Sequence, residues 1–285
     1  MSQSLREIKN RIKGIENTSK VTSAMELISV SKLNTTDKRL QALRPYHEAM
    51  RSLVQTLAAQ EGVAQHPLQE QRPAVRSTVL CVITSDNGLC ASYNMDVLRL
   101  AHAFISGRGK EQVKVLVVGK RGLSFFKRKA IPVIHAYQGI HGRFDSVISD
   151  EIAGILMNLF LSRRVDEAHV AYMYFKKGLV QDPIVEKFLN LELPAAPASG
   201  APVFEPDAAT IAGKLIPQYC LCAMRRIFLE AFTSEHAARS MAMHTATDNA
   251  KDLLKTLRVQ SNKVRQSIIT QEIMEIISSA EALRG

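Results

Sequence analysis

Apolar residues near the N-terminus, with one histidine among them, recur at alternating spacings of three and four positions. The series is Leu5, Ile8, Ile12 and Ile15, followed further on by Leu40, Leu43, His47, Met50, Val54 and Leu57. A second series near the C-terminus consists of Ile269, Ile273, Ile276, Ala280 and Leu283. This spacing is typical of a coiled-coil seam. It predicts one long amphipathic helix at each end of the chain.

The C-terminal helix is predicted to be very long because no helix-breaking residue interrupts it. Residues 218–284 contain neither proline nor glycine and are rich in good helix formers. At ~1.5 Å per residue this helix would be about 100 Å long, whereas a compact domain from the middle of the chain would be roughly 35 to 40 Å across. Most of the helix should therefore protrude. Antiparallel pairing with the N-terminal helix would bury both stripes and make the chain a hairpin interrupted by a domain.

Small side chains dominate the central part of both helices. They are Thr18, Ser19, Thr22, Ser23 and Ala24 at one end of the chain, and Ala237, Ala238, Ser240, Ala242, Ala246 and Ala250 at the other. Small residues allow two helices to approach closely but bury little area. Full burial of a large apolar side chain contributes about 1.5 to 3 kcal/mol, so this part of the helix pair gains less burial energy per turn than a leucine zipper would. Two interpretations remain equally open on spacing alone: a shaft held inside a larger assembly, or a tightly packed coil of the alanine type.

The middle of the chain alternates buried-strand runs with helical patterns. The predicted strands are 77–84, 113–118, 131–134 and 168–175, with a helix over 148–161. This alternation predicts an α/β fold, a small Rossmann-like layer with parallel strands. We assign residues 1–58 to the N-terminal coiled-coil helix, 74–193 to the α/β domain, 194–207 to a Pro/Ala-rich linker and 208–285 to the C-terminal coiled-coil helix. Pro45 and Pro217 are expected to bend or begin helices.

The loops of the α/β layer lack the sequence motifs of nucleotide binding and catalysis. The loop 85–90 has a single glycine, and 118–122 lacks the first Gly and the final Ser/Thr of a phosphate loop. No nucleophile elbow or kinase motif is present. Cys81, Cys90, Cys220 and Cys222 are expected to be reduced structural thiols, and the histidines show no metal-site spacing. We therefore expect no catalytic, cofactor or metal site.

Charge and hydropathy narrow the class of protein. The net charge of +10 makes nucleic acid one possible partner, while an acidic protein surface would satisfy the basic N-terminal helix equally well. No run reaches the 18 apolar residues of a membrane span, and the N-terminus lacks the apolar core of a signal peptide. These features favour a cytosolic or peripheral protein.

Several segments, in order along the chain, resemble the gamma subunit of rotary F-type ATP synthases. They are 8–12, 17–27, 31–33, 44–46, 85–90 with Tyr93-Asn94, 204–206, 234–239, 242–243, 246–250, 262–263, 265–266, 269–273 and 275–276. The resemblance implies a central-stalk rotor without an active site. It would turn within three alpha and three beta subunits, and its α/β domain would contact the epsilon subunit and the c-ring.

By position, the resemblance implies contacts with beta subunits for six residues. They are Met25, Lys32, Arg265, Gln266, Thr270 and Glu272. For Met25, packing within the coiled coil is an equally open interpretation. The resemblance also implies a peripheral location on the cytoplasmic side of a bacterial inner membrane.

The chain departs from the family pattern at several positions. Asn34-Thr35 replaces basic residues, Ala91-Ser92 replaces a glycine pair, Ser240 replaces a methionine, and Gln260-Ser261 replaces an aliphatic residue and a tyrosine. These departures indicate a divergent bacterial member, and a second ATPase in its organism is one origin that the sequence leaves open. An enzyme using the α/β domain and a basic coiled-coil protein binding nucleic acid are the alternative functions.

Overall fold

The computed structural model describes residues 4–58, 66–176, 181–191 and 207–282. The chain divides into two compact units, Met1–Ile28 with Ser240–Gly285, and Ser29–Arg239. We call them the coiled-coil unit and the α/β unit. Helix α1 (Leu5–Ala58) and helix α5 (Ala208–Ala282) each contribute to both units. The predicted linker 194–207 lies outside the described residues except for Asp207, whose carboxylate accepts a hydrogen bond from the N–H of Thr210 at the start of α5.

The α/β unit contains a five-stranded sheet. The strands are β1 (Thr78–Ile83), β2 (Val113–Val118), β3 (Val133–Tyr137), β4 (Glu167–Phe175) and β5 (Gln181–Leu189), and their order across the sheet is β3-β2-β1-β4-β5. The first four are parallel, as predicted, and β5 runs antiparallel to β4. The strand β5 was not predicted from the sequence. It contains Pro183, which is tolerated because β5 lies at the edge of the sheet.

Helices cover both faces of this sheet. They are α2 (Tyr93–Arg108), α3 (Lys120–Arg128), α4 (Ser146–Leu161) and the parts of α1 and α5 within the unit. Alternate residues of β1 point to opposite faces: Cys81 packs in the core shared with α1, α4 and α5, while Val82 packs in the core shared with α2 and α3. The near-continuous apolar runs that identified these strands are the consequence of burial on both faces.

In the coiled-coil unit, α1 and α5 pair antiparallel as predicted. Arg258 bonds to Glu16 at 2.8 Å, and further along Glu26 lies 3.0 Å from His244. On α1, Ile8 is buried, and Leu5, Ile12 and Ile15 are half-buried. The facing residues on α5 alternate four and three apart and are buried or half-buried: Met243, Thr247, Ala250, Leu254, Leu257, Ser261 and Val264.

The predicted C-terminal stripe is not part of this seam. Ile269, Ile273 and Ile276 are exposed, and so is Ala280, while the side chain of Leu283 lies outside the described residues. Among the described residues the seam stops at Val264. The pairings of Thr22 with Thr247 and of Glu26 with His244 place Leu5, where α1 begins, level with residues 264–265. The spacing was correctly identified, but its assignment to intramolecular pairing was wrong.

The two prolines that were expected to bend or begin helices lie inside them. Pro45 is within α1 and Pro217 is within α5, so neither begins a helix. Each lacks the N–H that would bond to the carbonyl four residues earlier. Packing of the surrounding residues, including Met50 and Met224 in the main core, offsets that loss.

Candidate functional site

The last described turns of α5 form an exposed apolar surface, which we call the apolar end. Its large side chains are Ile268, Ile269, Ile273, Met274, Ile276 and Ile277. These side chains are between 38% and 68% exposed. An exposed apolar surface of this size in a folded chain is characteristic of a partner-binding site.

A second apolar surface lies on the outer side of α1 within the same unit. Val21, Leu27 and Ile28 are 58%, 69% and 58% exposed. They lie away from the seam, where Thr22 accepts a hydrogen bond of 2.8 Å from the hydroxyl of Thr247. This surface was not predicted from the sequence because its residues do not follow the spacing of three and four that identified the seam.

The six predicted contact residues lie at three different places. Met25 is half-buried on α1 of the coiled-coil unit, whereas Lys32 belongs to the α/β unit, where its Nζ donates to the carbonyl of His141 at 3.3 Å. The remaining four are exposed on α5, next to or within the apolar end: Arg265, Gln266, Thr270 and Glu272. Since His244 faces Glu26, this group lies about 30 Å along the unit from Met25. The structure thus brings four of the six together, with the apolar end. Met25 lies elsewhere along the same unit, and Lys32 belongs to the other unit.

The loop at the carboxyl end of β1 is held by its own carboxylate. Asp86 accepts hydrogen bonds from the backbone N–H of Lys120, at the start of α3, and from that of His141. Burial alone would raise the pKa of Asp86, but these backbone hydrogen bonds outweigh it and lower that pKa. In a doubly wound fold the N-terminus of such a helix binds phosphate; here the chain's own carboxylate occupies that position.

The adjoining turn leaves no space for a ligand either. A Cβ on Gly119 would lie 2.2 Å from the carbonyl oxygen of Thr84. A Cβ on Gly122 would lie 2.8 Å from the hydroxyl oxygen of the same threonine. Thr84 fills this space and also accepts the N–H of Gly122. The glycines therefore serve close packing of the backbone rather than the approach of a phosphate group.

A buried ion network joins α5 to the sheet. Arg226 bonds to Glu230 one turn later at 2.9 Å and to the hydroxyl of Tyr172 at 3.2 Å, and it pairs with Glu186 on β5 at 2.5 Å. Burial raises the pKa of Glu230, against the opposing effect of Arg226 and Arg44. Each charged group has an oppositely charged partner, although Nε of Arg226 is buried without a hydrogen bond. This pairing indicates a structural network.

His47 lies beside this network, stacked on Tyr219 with ring centroids 5.3 Å apart. Burial, with a contribution from the positive charge of Arg226, lowers the pKa of His47 to about 4. The imidazole is therefore neutral at physiological pH. All four cysteines are buried and form no disulfide. Burial raises the pKa of each thiol, that of Cys220 to about 12, so these thiols are protonated.

Comparison with known proteins gives one family. The family model described as ATP synthase, ATP-synt, matches residues 4–283. The ATP synthase gamma chain of Rubrobacter xylanophilus is 37% identical over 98% of each chain, and that of Chlorobium phaeobacteroides is 34% identical over 99% of each.

Solved structures share the fold. A chain of the Euglena gracilis mitochondrial ATP synthase in rotational state 3 superposes with a TM-score of 0.69 at 18% identity, over 98% of this chain and 94% of that one. A chain of the central stalk and c-ring of the Tetrahymena thermophila mitochondrial enzyme gives 0.61 at 23% identity, over 79% and 99%.

Proposed function

The chain belongs to the ATP synthase gamma family, and from that membership we infer that it is the central-stalk rotor subunit of such an enzyme. The coiled-coil unit turns within a ring of three alpha and three beta subunits, while the α/β unit contacts the epsilon subunit and the c-ring. The complex is membrane-bound, and this subunit lies at its cytoplasmic side in a bacterial cell. No helix among the described residues has the length and hydropathy to span a bilayer.

The observation that carries this proposal is the apolar end of α5. Six large apolar side chains lie within ten residues, and each remains 38% or more exposed beside the described part of α1. A surrounding ring of subunits would cover that surface on all sides, which explains why apolar residues occur around the helix rather than along one stripe. The proposal thus accounts for the one feature of the coiled-coil unit that pairing within the chain leaves unexplained.

The subunit acts without chemistry of its own. Ion flow turns the c-ring and with it the stalk, and the asymmetric stalk then stabilises a different conformation in each beta subunit it faces. A ligand shifts a conformational equilibrium only through its differential affinity for the states. The stalk is such a ligand, presented to three sites in turn, so that binding, synthesis and release of ATP follow in order on the beta subunits.

The contacts with beta subunits involve the six residues proposed from the resemblance. Met25, beside the exposed Leu27 and Ile28, meets the moving segment of a beta subunit, and Lys32 adds positive charge on the same helix. Near the apolar end, four polar side chains hydrogen-bond to the surrounding loops: Arg265, Gln266, Thr270 and Glu272. The basic face of α1, with Lys9 and Lys13 among its exposed residues, complements acidic loops on the beta subunits.

Reconstitution tests this function. The chain is mixed with cognate alpha, beta and epsilon subunits, and the products are analysed by size, copy number and ATP hydrolysis. We expect one copy per three alpha-beta pairs and a gain in turnover, with no ATPase activity in the chain alone. Failure to form a stable complex would refute the rotor assignment, and hydrolysis by the isolated chain would refute the absence of an active site.

A further inference from the structure

The edge of the sheet where the parallel strands begin carries a large excess of positive charge. Thr78 of β1 is level with Val113 of β2 and with Glu167 of β4, and α2, α3 and α4 all end at this edge. Seven exposed cationic residues lie there: Arg76, Lys110, Lys127, Arg128, Lys129, Arg163 and Arg164. We call this surface the basic edge.

The acids of this region do not balance these cations. Asp166 accepts hydrogen bonds from the backbone N–H groups of Arg76 and Ser77. Glu167 is bound to Arg108 at 2.6 Å and to Lys187 at 3.0 Å.

With the half-buried Arg72, Arg108, Lys114 and Lys187 included, the edge holds eleven Lys and Arg against Glu70, Glu111, Asp166 and Glu167, a net charge of +7. The whole chain carries +10. Among the described residues only Arg163, of the seven exposed cations, has an acidic partner, Glu70 at 3.3 Å. More than half of the net charge is therefore concentrated on one edge of one domain.

Helix stability explains only part of this concentration. Cations in the last turn of a helix interact favourably with its dipole, and that accounts for Arg108 in α2 and for Lys127 and Arg128 in α3. It does not account for Arg76, Lys110 or Arg164, because these lie outside the helices.

Two large apolar side chains are exposed among these cations. Val75 is 43% exposed next to Arg76, and Leu161 is 49% exposed just before Arg163. The two segments are joined at 2.7 Å by the hydrogen bond from the N–H of Asp166 to the carbonyl of Ser77. Apolar side chains flanked by arginine and lysine are the composition of surfaces that bind at a membrane interface.

The spacing of the cations also favours a lipid surface over a structured acidic partner. They come from four separate chain segments along β3 to β4, which are three strand spacings or about 14 Å apart. A protein partner would need carboxylates placed to match this spread. Lipid headgroups diffuse laterally and adapt to any spacing of cations.

We propose that the basic edge binds the phosphate groups of an anionic phospholipid surface, with Val75 and Leu161 inserted at the headgroup level. This goes beyond the rotor function and rests on it only for the nearness of a membrane. The contact would give the α/β unit an affinity for the bilayer that depends on lipid charge and falls with ionic strength.

Vesicle binding by the full chain tests the proposal. The chain is sedimented with vesicles of phosphatidylcholine alone, and with vesicles that also contain phosphatidylglycerol, at low and high salt. The edge variant carries Lys127→Gln, Arg128→Gln and Lys129→Gln. The matched control carries Lys9→Gln and Lys13→Gln with Lys20→Gln, so it loses the same charge from exposed positions of α1.

We expect binding only to vesicles with phosphatidylglycerol and at low salt. The edge variant should lose on the order of 100-fold in affinity, and the control should lose less than about threefold. Equal losses in the two variants, or full binding by the edge variant, would overturn the proposal. Circular dichroism should show both variants folded because all six positions are exposed.

Two further measurements separate this proposal from its rivals. Val75→Ser with Leu161→Ser should weaken vesicle binding severalfold while leaving the charge unchanged; undiminished binding would overturn the insertion of these side chains. Binding of duplex DNA as tightly as the vesicles, lost with the same edge substitutions, would overturn the lipid assignment. Assembly of the edge variant with alpha and beta subunits should be normal, so the proposed function and the lipid contact fail independently.

Discussion

Replacing two residues of the apolar end, Ile273→Ala and Ile276→Ala, tests the surface that carries the proposed function. Ile273 is 51% exposed and Ile276 is 68% exposed. Each substitution removes three carbons, worth about 2.4 kcal/mol on full burial at ~0.8 kcal/mol per CH₂. Only the exposed fraction of each side chain remains to be buried in a complex. Multiplied by that fraction, the lost burial energy is roughly 1.2 kcal/mol for Ile273 and 1.6 kcal/mol for Ile276. The sum of about 3 kcal/mol corresponds to a loss of affinity on the order of 100-fold.

The assay is the affinity of the chain for a preformed ring of alpha and beta subunits, measured by surface plasmon resonance. The stability of the isolated chain, followed by thermal unfolding, should not fall, because these side chains are exposed and alanine is the better helix former. Ser267→Ala with Ser278→Ala is the matched control, since it changes exposed positions on the same segment without removing large apolar area. Unchanged affinity of the isoleucine variant would refute the reasoning, and so would an equal loss in the control.

Three further predictions concern the stability of the α/β unit, measured by urea unfolding. Arg226→Met leaves the buried Glu230 without its closest partner, so we expect the free energy of unfolding to fall by about 3 to 5 kcal/mol. Adding Glu230→Gln should recover most of this stability. Without that recovery, the unpaired charge of Glu230 would not be the cause of the loss. Gly119→Ala should lower the free energy of unfolding by more than about 3 kcal/mol, because φ at Gly119 is +95° and the new Cβ would meet the carbonyl of Thr84. Gly109→Ala, at φ +91° in open space, should lower it by only about 1 kcal/mol. Similar values for the two variants would contradict the steric argument. The pKa of His47 falls from 6.5 to about 4 on folding, so the unfolded chain binds more protons between these pH values. The contribution of His47 to stability is therefore complete above about pH 6.5 and falls by up to about 3 kcal/mol as the pH drops to 4. His47→Phe should flatten this part of the stability profile, and a difference between the two proteins that does not change with pH would argue against His47 as the titrating group.

The buried strands show how far sequence reasoning reaches in this protein. Residues 113–118 were predicted to the residue, and 168–175 to within one residue of β4, because apolar runs between turn signals reflect burial on both faces. The strand β5 was missed because its pattern, with Pro183, is that of an edge strand. An edge strand is defined by its neighbours rather than by its own residues.

The apolar end shows what sequence reasoning does not reach in this protein. The spacing of Ile269, Ile273 and Ile276 predicts a helix that buries one face, and that local property is correct. Spacing does not encode what buries the face, because a seam within the chain and a surface for another subunit have the same periodicity. The pairings of Thr22 with Thr247 and of Glu26 with His244 fix the register. In that register Leu5, where α1 begins, is level with residues 264–265, so the three isoleucines lie beyond the start of α1.

The sequence by itself determined the two long helices, the parallel strands and, through its resemblance, the family. These follow from local periodicity, from the absence of proline and glycine over residues 218–284, and from motifs whose order survives divergence. Tertiary structure alone decided the register of the helix pair, the place of β5 and the concentration of charge on the basic edge. Each of these depends on residues far apart in the chain that meet only after folding, and no pattern within one segment records which distant segment it will face.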